Sequence, residues 1–304
     1  MNNTFGNHLR LTLFGESHGK CVGAVLDGLP AGIEIKEDII EKALAARRPA
    51  GDISTARRES DRFEIVSGSF RGYTDGSPLC MIIPNSDTKS EDYERFSGLL
   101  RPGHADFTSH IKNAGYEDFR GGGHFSGRMT AAIVAVCSVV GAALEAKGIY
   151  IGTHILSVGN ISDRAIEDSD DIASAVKSLS FDLFPVLDKD AGEKMRALIS
   201  SARADGDSVG GVLECAVCGL PAGLGDPWFD TAEGMLSHAL FSIPAVKGIE
   251  FGGGFALTKM RGSEANDAFE LKDGRITTTT NNCGGILGGI STGGTISLDR
   301  KSVV

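Results

Sequence analysis

The longest apolar run of the chain, residues 129–144, constrains the fold more than any other feature. Its sequence, MTAAIVAVCSVVGAAL, is apolar on all sides, and a helix of this kind has to be buried. We therefore predict a core helix over residues 128–147. The run contains several small residues, and we expect it to fall short of a membrane span. A chain of 304 residues can enclose this helix in one large domain or two small ones.

The segment before this helix, residues 101–128, concentrates positive charge, imidazole groups and glycine. Three consecutive glycines at positions 121–123 leave backbone N–H groups accessible to a ligand. The N-terminus of the following helix also favours an anion. Two groups of arginines accompany the loop: Arg47, Arg48, Arg57, Arg58 and Arg62, and then Arg101, Arg120 and Arg128. Guanidinium groups match phosphate geometry, so the pattern favours a small phosphate-bearing ligand, with solvated surface charge as the alternative.

Composition excludes several classes of partner. The net charge of -10 argues against a chain built to coat nucleic acid or an anionic membrane. The N-terminus lacks the features of a signal peptide, so we expect a cytoplasmic protein. Cys215 and Cys218 form a CxxC pair, but they lie in a strand-like segment, where residues three apart face opposite sides. We therefore predict buried free thiols and no metal site.

The order of the predicted elements indicates the fold class. The sequence predicts two pairs of strands joined by turns, at residues 9–14 with 21–26 and at residues 63–70 with 78–84. Helices are predicted only occasionally between such pairs. This order lacks a βαβ rhythm and predicts an α+β fold with antiparallel sheets. No GxGxxG fingerprint follows a strand, which argues against a Rossmann-type dinucleotide site. Residues 163–205 show no cluster of residues that indicates a catalytic or binding site, and they are predicted to form a helical cover.

Two histidines, His18 in GESHG and His104 in RPGHAD, lie in turns bounded by glycine or proline, beside charged residues. Imidazole titrates near neutral pH and can transfer a proton to a departing phosphate oxygen. The alternative is that each histidine only braces its turn. From these residues alone, the chain is predicted to hold a phosphorylated small molecule with arginines and to use histidines as proton donors.

Nine motifs in order make the sequence resemble one enzyme family. They are GESHG (15–19), RRPAGD (47–52), RPGHAD (101–106), GGGHFSGR (121–128), DSVGGVLE (207–214), GLPAGLGDP (219–227), SIPAVKGIEFG (242–252), RGSEAND (261–267) and NNCGGILGGISTG (281–293). Together they resemble chorismate synthase, collinearly, from the N-terminus to about residue 298. Any one of the motifs is weak, but nine in order are highly specific.

The resemblance implies an activity, cofactors and an assembly. It implies conversion of 5-enolpyruvylshikimate 3-phosphate to chorismate and phosphate by a 1,4-anti elimination, in the shikimate pathway of aromatic amino acid biosynthesis. It implies reduced FMN as cofactor, without net redox change, and NADPH as the candidate reductant. It further implies a β-α-α-β sandwich, in which antiparallel sheets enclose a helical layer, and a homotetramer.

The resemblance also assigns residues by motif. His18 and His104 are the implied acid catalysts, with His18 on the substrate side and His104 on the flavin side. The implied substrate or NADP contacts are Arg47, Arg48, Arg57 and Arg128, and the implied FMN contacts are His124, Phe125, Ser126, Pro244, Ala245 and Gly288. Two places depart from the common pattern. Many members have Arg-Ser-Ser at positions 124–126 and Asn-Ala at positions 244–245, so this chain lacks a side-chain donor at each place, and only the backbone contacts are expected to persist there.

The resemblance ends before the family's last segment, which carries a KPT-type flavin loop, a GRHDP motif and a terminal helix. We expect residues 1–298 to form a single domain, incomplete at its C-terminus, and residues 299–304 to be a non-native tail from sequence assembly. The alternative to an active enzyme is a fragment that retains only the anion-binding pocket. A histidine-dependent phosphohydrolase that needs no flavin is a third hypothesis.

Overall fold

The computed structural model describes residues 2–49, 59–86, 98–169, 171–272 and 274–302. By its internal contacts the chain divides into two compact units, Met1–Ala143 and Leu144–Val304. The two units are described separately below. The expectation that residues 1–298 form a single domain stays a prediction.

The first unit is built on a five-stranded antiparallel sheet with the strand order β1-β2-β3-β7-β4. Its strands are β1 (Thr4–Phe5), β2 (Arg10–Gly15), β3 (Cys21–Asp27), β4 (Glu64–Ser67), β5 (Ser69–Phe70), β6 (Tyr73–Thr74) and β7 (Leu79–Pro84). Strands β5 and β6 form a separate hairpin. The antiparallel strand pairs predicted from the order of strands and turns are confirmed, except that the run 63–70 is broken into β4 and β5.

Within the described part of this unit, three α-helices accompany the sheet: α1 (Glu37–Arg47), α2 (Asp106–Asn113) and α3 (Thr130–Glu145). The core joins α3 to the sheet, because Ala135 and Val136 pack in one buried cluster with Val22 and Met81. The predicted core helix is therefore confirmed. By length and composition alone the segment Gly127–Glu145 could cross a membrane, which corrects the expectation that this run is too short; core helices meet the same criterion.

The second unit contains a five-stranded antiparallel sheet with the order β11-β16-β10-β8-β9. Its strands are β8 (Tyr150–Val158), β9 (Ile161–Ser162), β10 (Gly211–Cys218), β11 (Val246–Phe251), β12 (Phe269–Lys272), β13 (Arg275–Thr278), β14 (Ile286–Leu287), β15 (Ile290–Ser291) and β16 (Ile296–Ser302). Its helices are α4 (Ile172–Leu179), α5 (Lys189–Ala204), α6 (Ala232–Leu240) and α7 (Gly262–Ala265). The predicted α+β class with antiparallel sheets is confirmed in both units.

Strand β10 shows how this second sheet is covered on both faces. Cys218 packs with Val176 of α4, whereas Cys215 packs against a cluster that includes Leu236 of α6. The two thiols of the CxxC pair thus face opposite sides, as predicted from strand geometry. All six cysteines of the chain are free, but Cys218 alone is buried, Cys137 is exposed and the other four are partly buried, which corrects the expectation of buried thiols.

The sequence also predicts a strand over residues 248–260 with a GGGF interruption, and this prediction is wrong beyond Phe251. The chain leaves the sheet there and enters a 3₁₀ turn at Gly254–Lys259. Gly252 and Gly254 have φ angles of 53° and 47°. This left-handed backbone, which glycine adopts without steric cost, ends the extended conformation.

Asp163, at the start of the predicted covering segment 163–205, takes part in a buried polar arrangement that the sequence analysis did not predict. Asp163 Oδ2 lies 3.1 Å from Nδ1 of His154, and the other ring nitrogen, Nε2, lies 2.7 Å from Oε2 of Glu214. The His154 side chain is fully buried. Asp163 accepts further hydrogen bonds from the backbone N–H groups of Leu187 and Asp188. A buried Asp–His–Glu arrangement therefore ties this covering segment to the sheet.

The last strand contains residues of the proposed tail. In the register of the sheet, Asp299 lies opposite Glu214 on one side and Glu250 on the other. Carboxylates directly opposite one another in an antiparallel sheet are destabilising. Arg300, the next residue, has a buried Nε without a hydrogen-bond partner among the described residues. The expectation that residues 299–304 form a non-native tail stays a prediction.

Candidate active site

The turn that carries His18 connects β2 to β3 in the first unit. His18 is only 9% exposed, and its neighbour Ser17 is fully buried. The Ser17 N–H donates to the carbonyl oxygen of Gly123 at 3.0 Å. A Cβ atom on Gly121 would overlap the imidazole of His18. The GESHG turn and the glycine triplet, which are about a hundred residues apart in sequence, therefore form one site.

The glycine triplet adopts a backbone that other residues rarely take. Gly121, Gly122 and Gly123 have φ angles of 58°, 80° and 53°. The triplet does not lie directly at the N-terminus of α3, which corrects the sequence expectation. Ser126 intervenes as an N-cap whose Oγ accepts from the N–H of Arg128, and a short 3₁₀ turn, Gly127–Met129, follows it. The triplet instead makes room for His18.

Three arginines of the first unit converge on one buried carboxylate, that of Asp61. Arg128 Nη1 makes a close contact with Asp61 Oδ1, Arg47 Nη2 lies 3.3 Å from Oδ2, and Arg48 Nε lies 3.5 Å from Oδ2. The side chain of Asp61 is fully buried and that of Arg128 is 2% exposed. Within these four side chains, three cations share one anion, so the cluster carries surplus positive charge.

Not all hydrogen-bonding groups of this arginine cluster are used. Arg128 Nη2 and Arg47 Nε are buried and have no hydrogen-bond partner among the described residues. Burial lowers the pKa of Arg47, an effect that the charge of Asp61 opposes. A guanidinium nevertheless stays charged at neutral pH. Buried donors without partners are rare in folded proteins and point to an anionic ligand that would accept from them.

The side chain of Asn85 links the arginine cluster to the His18 turn. Its Nδ2 donates to the carbonyl oxygens of Glu16 and Gly19, both at 2.9 Å. Its Oδ1 accepts from Arg128 Nε at 3.0 Å. The neighbouring Ser86 is held by Glu59, whose Oε2 accepts from the Ser86 N–H and Oγ–H.

The RPGHAD turn that carries His104 is closed by its own first and last residues. Arg101 donates from Nε and Nη2 to the two carboxylate oxygens of Asp106, at 2.9 and 2.8 Å. These bonds, chiefly the side-chain ones, lower the pKa of Asp106 to about 2. His104 itself is exposed. Arg101 Nη2 lies 3.9 Å from the position a Cβ would take on Gly122, so this turn also borders the triplet.

Arg120, the remaining arginine of the loop, has a similar local partner. It binds Asp118 through Nε at 2.8 Å and Nη2 at 2.7 Å. The hydrogen bonds from Arg120 lower the pKa of Asp118, and the charge of the nearby His18 contributes in the same direction. Of the second predicted arginine group, Arg101 and Arg120 are therefore paired within their own turns, and Arg128 joins the Asp61 cluster.

The implied flavin contacts of the first unit follow the triplet. His124 Nδ1 lies 2.8 Å from the carbonyl oxygen of Gly15, so this nitrogen is the donor and Nε2 is left for other bonds. Phe125 is half-exposed, and Ser126 caps the 3₁₀ turn. The His124 side chain thus braces the end of β2.

The remaining predicted residues lie in the second unit or outside the described residues. Pro244 and Ala245 form an exposed turn in which the Val246 N–H donates to Ile243 and Ala245 has a φ of 67°. Gly288 has a φ of 61° and open space where a Cβ would be. Arg57, like Arg58, lies outside the described residues.

Sequence reasoning missed Asp61 and Asn85. Asp61 follows an arginine-rich stretch, and Asn85 follows the end of β7, but nothing in the local pattern shows that they meet the same guanidinium group. A polar residue at the C-terminal end of a buried strand was the available signal for Asn85.

Among the described residues, no group of three or more His, Cys, Asp or Glu side chains could hold a metal ion.

Comparisons with known proteins agree on one family. The family model for chorismate synthase matches residues 9–301. A chorismate synthase of Dehalococcoides mccartyi is 45% identical over 294 residues, covering 96% of this chain and 80% of the relative. One of Thermococcus gammatolerans is 46% identical over 288 residues, covering 95% and 79%. A crystal structure of chorismate synthase superimposes with a TM-score of 0.81 at 30% identity, covering 97% of this chain and 84% of that chain.

The likeness to the solved structure confirms the expected chorismate synthase-like α+β fold. The family match and the curated relatives confirm the resemblance carried by the nine motifs. The chain therefore belongs to the chorismate synthase family and is an enzyme of that type, a lyase of the shikimate pathway.

Proposed function

We propose that this chain converts 5-enolpyruvylshikimate 3-phosphate to chorismate and inorganic phosphate by a 1,4-anti elimination that depends on reduced FMN. The observation that carries the proposal is the arginine cluster on Asp61, which presents the buried donors Arg128 Nη2 and Arg47 Nε without protein partners among the described residues. A phosphate ester carries negative charge and acceptor oxygens, and could therefore accept hydrogen bonds from these two donors.

The proposed roles follow from the environment of each residue. In the elimination, the bond from carbon to the phosphate oxygen breaks, a ring C–H loses its proton, and a new double bond forms. Arg128, with Arg47 and Arg48, stabilises the charge on the departing phosphate. His18, buried beside the glycine triplet, holds a proton close to the leaving group. His104, in its exposed turn, is assigned to the flavin side.

The residues present fit a flavin through their backbone more than through their side chains. Ala245 and Gly288 lie in left-handed turns, and no side chain occupies the space beside Gly288. Phe125 offers an exposed aromatic ring, and Ser126 keeps a hydroxyl proton to donate because its oxygen is the acceptor in the cap. As the motif resemblance implies, we assign FMN contacts in the first unit to Phe125, Ser126 and His124 Nε2, and FMN contacts in the second unit to Pro244, Ala245 and Gly288. Reduced FMN, when bound, supplies transient electron density that helps phosphate to leave.

Three further assignments belong to this proposal. Arg47 and Arg48 bind the substrate or the nicotinamide cofactor, with NADPH as the candidate reductant of the flavin. The active assembly is a homotetramer in the cytoplasm, with a small phosphorylated molecule as its only ligand class besides the cofactors. Sedimentation velocity of the purified chain tests the assembly, and a species smaller than a tetramer would contradict it.

An anaerobic assay separates the proposed enzyme from its alternatives. The 304-residue chain is mixed with the substrate, with and without reduced FMN, and phosphate and chorismate are both measured. Equal amounts of both products, formed only with reduced FMN, support the proposal. Phosphate without chorismate, formed in the absence of FMN, would indicate a phosphohydrolase. Substrate binding with neither product would indicate a fragment that retains only the anion pocket.

A further inference from the structure

Asn85 is placed between the two halves of the proposed site. It lies immediately after the end of β7 and is half-buried. Its side-chain amide makes three hydrogen bonds, two as donor to the turn of His18 and one as acceptor from Arg128. The amide thus uses both protons and its oxygen at once.

The chemistry of these three bonds selects asparagine. An aspartate could still accept from Arg128, but its second oxygen would face the carbonyl oxygens of Glu16 and Gly19, to which Asn85 Nδ2 now donates. A serine is too short to reach both groups, and an alanine makes none of the bonds. The requirement is therefore for a planar group with two donor protons on one side and an acceptor on the other.

The bond to Arg128 also fixes the direction of its guanidinium plane. Asn85 Oδ1 holds Nε, Asp61 holds Nη1, and Nη2 is left as the buried donor without a protein partner among the described residues. Since a guanidinium is planar, fixing two of its nitrogens fixes where the third points. The same amide holds the two ends of the turn in which His18 lies. One side chain therefore sets both the donor direction of the anion site and the backbone that carries the imidazole.

We propose that Asn85 is a positioning residue that holds Arg128 and His18 in register with each other, so that the anion-binding donor and the proton donor act on one substrate. This inference rests on the proposed function of the site. It adds a residue that touches neither substrate nor cofactor and acts through two residues that do.

The test compares Asn85→Ala and Asn85→Asp with the neighbouring Ser86→Ala, which removes a hydroxyl bound to Glu59 and leaves the His18 turn intact. Misplacement of reacting groups by about 1 Å costs on the order of 100-fold in rate. We expect Asn85→Ala to lower kcat/KM by about 10- to 100-fold. We expect Ser86→Ala to lower it by less than about threefold, as for a surface change away from the site.

Two readouts separate positioning from a general loss of structure. The Cε1–H resonance of His18 and its titration midpoint should move in Asn85→Ala and stay in place in Ser86→Ala. The activity of Asn85→Asp relative to the parent chain should recover as the pH falls, because a protonated carboxyl regains one donor for the turn. Equal losses in both alanine variants, or an unmoved His18 resonance in Asn85→Ala, would overturn the inference.

The same experiment distinguishes this inference from the proposed function. Binding of inorganic phosphate to the flavin-free chain is measured by calorimetry for the parent and for Asn85→Ala. If the parent forms no chorismate, the proposed function fails, yet weakened phosphate binding and a shifted His18 resonance in the variant would still support the positioning role. If the parent is active and Asn85→Ala matches it in kcat/KM, in phosphate binding and in the His18 resonance, the positioning role is wrong while the proposed function stands.

Discussion

Gly121 lies against the imidazole of His18 so closely that the smallest side chain, a methyl group, would overlap the ring. Two features of this position require a glycine. Its φ of 58° is left-handed, and the space that a Cβ would fill is occupied by a proposed catalytic side chain. The adjacent Gly122 has a similar left-handed backbone, but its nearest neighbours lie at ordinary van der Waals distances.

This difference gives a matched pair of variants. Gly121→Ala and Gly122→Ala both place a methyl group on left-handed backbone, which costs about 1–2 kcal/mol in each. Only Gly121→Ala also displaces His18, and we expect it to lower kcat by about 100-fold relative to Gly122→Ala. Steady-state kinetics together with urea denaturation check the expectation. Comparable activity in the two variants would show that the ring contact is irrelevant to turnover.

The second prediction concerns the carboxylate at the centre of the arginine cluster. Asp61→Asn keeps the shape of the side chain and tolerates its φ of 51°, but it removes the charge that Arg47, Arg48 and Arg128 share. Removing one partner of a buried ion pair costs about 3–5 kcal/mol. We expect a loss of that size in the free energy of unfolding, measured by denaturation in urea.

The control for this variant is Asp38→Asn, which breaks the exposed pair with Lys42 on α1. An exposed pair of this type contributes little, and we expect no measurable change in stability. A loss of less than about 1 kcal/mol in Asp61→Asn would show that the three guanidinium groups are held by something other than this carboxylate.

The sequence allowed prediction of those parts of the structure that depend on local periodicity. Strand β3, predicted at residues 21–26, has apolar residues at the alternate positions Val22, Ala24 and Leu26. Helix α1, which the sequence predicts over residues 36–48, carries Ile40 and Leu44 on one face. Both predictions lie close to the observed bounds. Helix α2 was missed because its short sequence, DFTSHIKN, has only two apolar residues, Phe107 and Ile111, and both are exposed in the structure.

The polar contacts of the site could not be predicted in this way. Arg128 and Asp61 are 67 residues apart, and Asn85 and Glu16 are 69 residues apart. Ion pairs and amide bonds over such distances leave no periodic pattern, because only the folded sheet brings the partners together. The motif resemblance predicts Arg128 as a site residue, but it gives no reason to expect the carboxylate of Asp61 that orients its side chain.

The third prediction uses the depressed pKa of Asp106, which is about 2 because of the hydrogen bonds from Arg101. Since the folded pKa lies below the ordinary value of 3.8, this pair stabilises the turn above pH 3.8, and the contribution is lost as the pH falls towards 2. Arg101→Gln should raise the pKa of Asp106 towards its ordinary value. A ¹³C titration of the side-chain carboxyl groups measures the shift.

Asp118 is the internal control in that titration. Its pKa is lowered mainly by Arg120, which is untouched in Arg101→Gln, so its titration should not move. If the two carboxyl groups shift together, the substitution has disturbed the loop as a whole, and the assignment of the Asp106 shift to Arg101 would be wrong.

The fourth prediction concerns the turn that contains Pro244 and Ala245. Ala245 is exposed and has a φ of 67°, a conformation that strains any residue with a Cβ. Ala245→Gly removes the strain but increases the freedom of the unfolded chain, which leaves a net gain of about 0.5–1 kcal/mol. In contrast, Ala239→Gly in α6 should lose about 1 kcal/mol. Thermal denaturation gives the sign of the stability change in each variant. A loss of stability in Ala245→Gly would contradict the prediction.

The fifth prediction concerns the buried imidazole of the second unit. Both ring nitrogens of His154 face carboxylate oxygens, and carboxylates accept hydrogen bonds, so the ring donates on both sides when it is charged. His154→Leu would leave Asp163 and Glu214 buried without this donor, at a cost of about 3–5 kcal/mol. His110→Leu, which removes an exposed histidine paired with Glu117, should change stability by less than about 0.5 kcal/mol.

Hydrogen exchange shows where the stability of His154→Leu is lost. The N–H groups of Ile166 and Leu187 donate to Glu214 and Asp163, so their protection depends on carboxylates that the imidazole holds in place. We expect peptides that cover residues 163–188 to exchange faster in His154→Leu, while peptides of β2 and β3 in the first unit keep their rates. Unchanged protection at Ile166 and Leu187 would mean that the covering segment is anchored by its apolar contacts alone, and that the buried Asp–His–Glu arrangement contributes nothing to it.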